Sequence, residues 1–169
     1  MIVFLIVAIA IRLVTLAISL RDERQLKLQG AVEYGATTSK ILALAHVVFY
    51  LSAAAEGLWK SAPLNTVSYT GFALYAFGMI MLFYVIHLLG RFWTVKLIVA
   101  PDHELVTHPL FRFVRHPNYF LNIIPELVGF ALAFQAYHTL TFGLPLYLTV
   151  LFFRIRKEEQ VMKQQFSGY

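Results

Sequence analysis

The sequence predicts an all-α, polytopic membrane protein of about five transmembrane helices, and three observations carry that expectation. Of its 169 residues 59% are hydrophobic and only 14% charged, with a mean hydropathy of +0.69. One soluble core of this size cannot hide such an excess. The apolar residues gather into runs close to the ~20 residues that a helix needs to cross ~30 Å of hydrocarbon. The cations fall in the gaps between those runs, and mostly in alternate gaps.

The first run, residues 2–20, has Arg12 as its sole charge. It lacks a basic leading region and a small-residue cleavage site, so it reads as a retained span rather than a removed signal peptide. The second, third and fourth runs are residues 39–58, 68–89 and 119–137. The fifth, 140–153, is short and holds Gly143 and Pro145, which predicts tilt, a kink or close pairing with the fourth. Arg21, Arg24, Lys27 and Lys40, then Arg91, Lys96, Arg112 and Arg115, then Arg154, Arg156, Lys157 and Lys163 lie on one side. The other side holds Lys60. The positive-inside rule then puts the N-terminus outside and the C-terminus in the cytoplasm.

Residues 90–117 form a long cytoplasmic-side connector between spans three and four. Phe92, Trp93, Leu97, Ile98 and Val99 make it partly apolar, and Pro101 and Pro109 break it into short pieces. Irregular backbone at membrane depth persists only over protein or a polar cavity. A pocket is therefore expected beneath it. The whole chain, 1–169, reads as one membrane-embedded domain with its polar chemistry in about residues 90–169.

Composition also excludes functions. The net charge of +5 sits beside apolar runs, where topology and anionic lipid headgroups explain it and nucleic acid does not. There is no cysteine, hence no disulfide framework, thiolate metal site or Cys nucleophile. Six scattered histidines without ligand spacing predict no metal. No phosphate loop or nucleophile elbow occurs. Chemistry that only positions two reactants fits such a pocket.

Two polar segments stand out: Arg112-Phe113-Val114-Arg115-His116-Pro117-Asn118-Tyr119, and Arg154-Ile155-Arg156-Lys157-Glu158-Glu159 about forty residues later. Pro117 suits the first turn of span four. The first segment alone reads equally as an interfacial anchor, and the second as a solvated helix face. A tight turn at Tyr137-His138-Thr139 makes spans four and five an antiparallel hairpin, which brings Arg115 and His116 within reach of Glu158 and Glu159. Asn122 and Glu126 share a helix face with Tyr119. Glu126, two turns deep, is either part of a functional site or the ion-pair partner of Arg12, His46 or His87.

Thr107-His108-Pro109-Leu110-Phe111-Arg112-Phe113-Val114-Arg115-His116-Pro117-Asn118-Tyr119, with Glu158-Glu159 following at the expected separation, resembles the isoprenylcysteine carboxyl methyltransferases. The likeness covers residues 96–166. The stretch Gly30-Ala31-Val32-Glu33-Tyr34-Gly35 resembles a bacterial branch more loosely. The family's Gly-Pro-Tyr is Pro109-Leu110-Phe111 here, its second Tyr is Phe113, and the continuation past the Glu pair is short, ending at Tyr169. Phospholipid N-methyltransferases and the C-terminal part of some sterol reductases carry similar hairpins.

The resemblance implies S-adenosylmethionine as cofactor, entering from the cytoplasm. It places Lys96, Arg115 and Pro117 around the cofactor, Arg115 on its carboxylate. Glu158 or Glu159 would accept from its ribose hydroxyls or ammonium, and His108, His116 and Tyr119 would line its adenosyl part. Arg115 or Arg112 would orient the acceptor, with Glu159 in the catalytic set. Asn122, Glu126 and His87 would line the acceptor channel. The expected partner is a lipophilic small molecule or a prenylated substrate beside membrane lipids, a prenylcysteine-like acid or an alkylpyrone, in a bacterial cytoplasmic membrane. Two other classes remain open: a non-catalytic lipid-binding or scaffold protein, and a reductase using NADPH through the same hairpin.

Overall fold

A computed structural model of the chain describes residues 1–101 and 108–165 and is largely helical. Thr107 and Phe166, at the edges of the motif match, lie outside the described residues. Helix α1 is Ile2–Leu28, α2 Ala36–Lys60, α3 Thr66–Leu89, α4 Pro109–Phe113, α5 Ile124–Ala133 and α6 Leu144–Gln165. Among the described residues four stretches are long and apolar enough to cross a membrane: Ile2–Leu28, Ala36–Lys60, Thr66–Phe92 and Thr139–Gln165.

The last two expected spans exchange roles. The segment expected over 119–137 is the short one, Asn118–Ala133, which reaches only ~24 Å at 1.5 Å per residue. It stops because Gln135 turns to a φ of 54° and sends its side chain to the carbonyl of Pro63 and the hydroxyl of Ser68. The segment expected to be short belongs to the helical stretch Thr139–Gln165. Apolarity ends at Phe153, but Arg, Lys, Glu and Gln are strong helix formers and carry the helix onward.

Prolines shape both arms of this hairpin. Pro125 follows a wide π-type turn at Asn118–Ile123, and Pro145 follows another at Thr139–Gly143. A proline inside a helix removes one N–H and crowds the carbonyl four residues earlier, and a widened turn relieves the crowding. Such turns recur beside functional sites.

Helix α5 is clasped to α3. A Cβ at Gly71 would lie 2.2 Å from the amide nitrogen of Ala133, and one at Gly129 would lie 2.4 Å from that of Tyr75. Lipid gives helices no hydrophobic reason to associate, so small residues that admit close backbone contact supply it. Around this seam Phe130 stacks on Tyr50 at 4.0 Å, and Phe4 of α1 sits edge-on to Tyr75 at 5.0 Å. At the same end Glu56 of α2 accepts from the backbone amides of His138 and Thr139 and from the Thr139 hydroxyl. That end is closed.

At the other end the connector is stitched down by a feature absent from the sequence expectation. Strand β1, Val32–Tyr34, pairs antiparallel with β2, Leu97–Val99, setting Val32 opposite Val99 and Tyr34 opposite Leu97. Three-residue strands paired across some sixty positions leave no periodic signal. Lys96 donates to Glu23 of α1 at 2.6 Å, and Lys27 bridges Glu23 and Glu33 at 2.6 and 2.7 Å. The Lys27 ammonium first of all, against the opposing effect of burial, holds the Glu33 carboxyl below its ordinary value.

The seam predicts a contrast. Gly129→Ala forces backbone apart and should lower stability by about 1–3 kcal/mol, the range for overpacking. Gly143→Ala meets only side-chain carbons at 3.4 Å and should leave the thermal midpoint nearly unchanged. Thermal unfolding of the two variants in detergent checks the difference.

Candidate active site

Pro117 opens the arm that carries α5, and the residues before it turn inward at the stitched end. His116 and Tyr119 are both buried there. The His116 ring lies between two carboxylates, with Nδ1 at 3.3 Å from Glu158 Oε1 and Nε2 at 3.4 Å from Glu159 Oε1. The Tyr119 hydroxyl donates to the other Glu158 oxygen at 2.5 Å. The two tips expected to converge do so.

Both ring nitrogens facing carboxylates suit the imidazolium, which donates from each. Burial would lower the His116 value. The Glu158 and Glu159 carboxylates outweigh burial and raise it above its ordinary 6.5.

A cavity of about 1010 Å³ starts beside this cluster and runs inward between α1, α2, α3 and the hairpin. It is at the upper end of the ~300–1,000 Å³ usual for ligand sites. Arg112, Arg115, His116, Pro117, Tyr119, Glu158 and Lys96 all line it. Asn122 lines it deeper down. Lys96 does so with its ammonium already bound to Glu23 and Glu33.

Glu158 and Glu159 separate. Successive residues on a helix point about 100° apart, so Glu158 faces this cavity while Glu159 faces a second, outer one of about 510 Å³ with Thr38, Arg156, Lys157 and Lys163. His108 is drawn elsewhere too: its Nδ1 accepts from the Leu110 amide at 3.2 Å and caps α4. His87 is exposed on α3 and is not on the cavity wall. Glu126 is fully buried and sits behind the wall. It accepts from Arg12 Nε at 2.6 Å and from the Tyr50 hydroxyl, and it lies 3.5 Å from His46 Nε2. Of the partners expected for Glu126, Arg12 and His46 are present and His87 is not.

Two features escaped the sequence reading. Arg154, which heads the second polar segment and counts among the cytoplasmic-side cations but was given no role in the site, is 3% exposed and lines the cavity. Its Nη2 reaches the Val95 carbonyl at 3.5 Å. Its Nε and Nη1, and the indole N–H of Trp93 on the same cavity, have no hydrogen-bond partner among the described residues. The spacing of Arg154 four residues before Glu158 puts both on one face and was the available signal. Arg12, His46, Tyr50 and Tyr147 also line the cavity; a lone arginine in an apolar span was the cue there.

Residues 71–164 match the isoprenylcysteine carboxyl methyltransferase (ICMT) family. The chain belongs to this family. The match begins within α3, ahead of the polar segments that carried the resemblance. An uncharacterized protein of Haemophilus influenzae is 46% identical to this ICMT-family chain over 158 residues, covering 94% of this chain and 92% of that one. The uncharacterized protein YpbQ of Bacillus subtilis is 29% identical over 163 residues, covering 95% and 96%. No solved structure matches. Family and apolar helices together make this an integral membrane protein of a methyltransferase family.

The His116 bridge has a definite pH signature. Because folding raises its value, its stabilising contribution is fully present below about pH 6.5 and is lost as pH rises through the raised value. In thermal scans across pH, the wild-type midpoint should fall over that window relative to His116→Gln, which lacks this component.

Proposed function

We propose that this chain transfers a methyl group from S-adenosylmethionine to an oxygen of a lipophilic acceptor, a carboxylate or an acidic enol, at the cytoplasmic face of the membrane. The observation that carries the reading is the buried Arg154 guanidinium on the cavity wall, one helical turn from Glu158, with two nitrogens that have no hydrogen-bond partner among the described residues. Glu158 offsets the charge of Arg154, but buried donors left without acceptors are costly, and an anionic ligand that accepts from them removes that cost.

The wall fits the cofactor by its chemistry. Glu158 offers a carboxylate to ribose hydroxyls or an ammonium group, with His116 and Tyr119 holding it in place. Arg115, exposed at the cavity mouth, is suited to a carboxylate that arrives from water. Bound there, the cofactor supplies an electrophilic methyl group on a sulfonium.

The residues of the chain do the rest by position. Arg154 and the Trp93 indole hold the acceptor anion, which is already ionised at neutral pH and needs no strong general base. Leu82, Val85, Leu89 and Ile123 line the space below and exclude water. Near-attack geometry in a dry site supplies the acceleration. The apolar tail lies in the limb between Leu5, Ile9, Leu13 and Leu16 of α1 and Leu42, Val47 and Leu51 of α2. It enters sideways from the bilayer. A prenylcysteine-like acid or an alkylpyrone meets these requirements, and the positive-inside bias sets the cytoplasmic orientation.

The test is labelled methyl transfer from S-adenosylmethionine to alkylpyrones and prenylcysteine analogues with purified protein. Arg154→Ala should reduce turnover by about 10²–10³-fold, the range for removing a preorganised donor. Glu158→Gln should weaken binding of S-adenosylhomocysteine, read by calorimetry. A wild-type protein that binds neither S-adenosylmethionine nor its product overturns the reading.

A further inference from the structure

The cavity does not become uniformly apolar below its first polar layer. Glu126 lies seven residues inward of Tyr119, and Tyr147 lies seven residues inward of Arg154, ~10 Å along each arm at 1.5 Å per residue. At that depth Arg12, His46, Tyr50 and Tyr147 reach the cavity from three helices. Leu42, Leu82, Val85 and Ile123 line the same cavity.

A channel for a plain alkyl tail has no use for this second layer. Ionisable groups in the hydrocarbon region are expensive to keep. Part of the cluster is satisfied internally: Arg12 and Tyr50 both bond Glu126, and His46 Nδ1 lies 3.3 Å from the Tyr147 hydroxyl. A structural pin would end there. Asn122, between the layers, is 1% exposed, lines the cavity and donates its amide nitrogen to Asn118 at 3.1 Å. Its Oδ1 accepts from no group among the described residues. The Arg12 side chain is still 24% exposed.

We propose that the methyl acceptor carries a second polar group, one that both donates and accepts, ~5–10 Å inward of the oxygen that takes the methyl. A hydroxyl is the simplest such group. It donates to Asn122 Oδ1 and accepts from the Arg12 guanidinium, with His46 and Tyr147 beside it. The proposal rests on the methyltransferase reading above and narrows its acceptor class to tails interrupted by a hydrogen-bonding substituent.

Calorimetry on the full chain in detergent, saturated with S-adenosylhomocysteine, tests it with two probes. One is octadecanoic acid; the other is the same acid hydroxylated about six bonds from its carboxylate, which an extended chain sets ~7 Å away. The hydroxylated acid should bind about tenfold tighter, the gain from satisfying one buried acceptor. That advantage should collapse in Asn122→Leu and shrink in His46→Phe. Equal affinities, no binding of the hydroxylated acid, or an advantage that survives both substitutions overturns the proposal. S-adenosylhomocysteine binding, measured first in every sample, keeps the claims apart. Its absence in the wild type sinks the methyltransferase reading, while its presence with indistinguishable acids sinks only the second polar group. A variant that fails this first measurement is misfolded, and the other variant then decides.

Discussion

The backbone contact between α3 and α5 sets the rotation of everything that matters on the hairpin. With no Cβ at Gly71 and Gly129, the two helices touch main chain to main chain, and α5 has one register in which to sit. In that register Tyr119 and Asn122 turn toward the cavity while Glu126 turns against Arg12 and Tyr50. A helix held only by long apolar side chains in lipid could rotate at little cost, because both faces would meet hydrocarbon. Close contact removes that freedom.

Charge is distributed by depth. At the stitched end, carboxylates outnumber the imidazole between them, and Tyr119 adds a donor to Glu158. Below, Arg154 places charge of the opposite sign, with two donors that have no partner among the described residues. The proposed cofactor, a zwitterion with a cationic sulfur, and the proposed anionic acceptor would call for both signs side by side. The protein holds them apart on one face of α6, a single turn from each other. Lower still, Arg12 and Glu126 compensate each other where lone charges would be hardest to keep.

How much of this could be read from the chain depended on whether the signal was local. The convergence of His116 with Glu158 and Glu159 was legible, because two apolar arms joined by a short turn must return their polar ends to the same level. The divergence of Glu158 from Glu159 needed the rotational phase of α6. Arg154 hid among cations that also obey the positive-inside rule, and burial alone separates it from Arg156 two residues on. The pairing of β1 with β2 and the capture of Lys96 by Glu23 are long-range, and neither leaves a mark in periodicity. His108 and His87 carried the right chemistry in the wrong places, one spent on a helix cap and the other facing outward.

The two short strands and the lysine bridges beside them join the roof over the site to the last turns of α1. Helix α1 is also one flank of the gap through which a tail from the bilayer would pass. Under the proposed function, α1 is therefore a wall common to the opening toward water and the opening toward lipid.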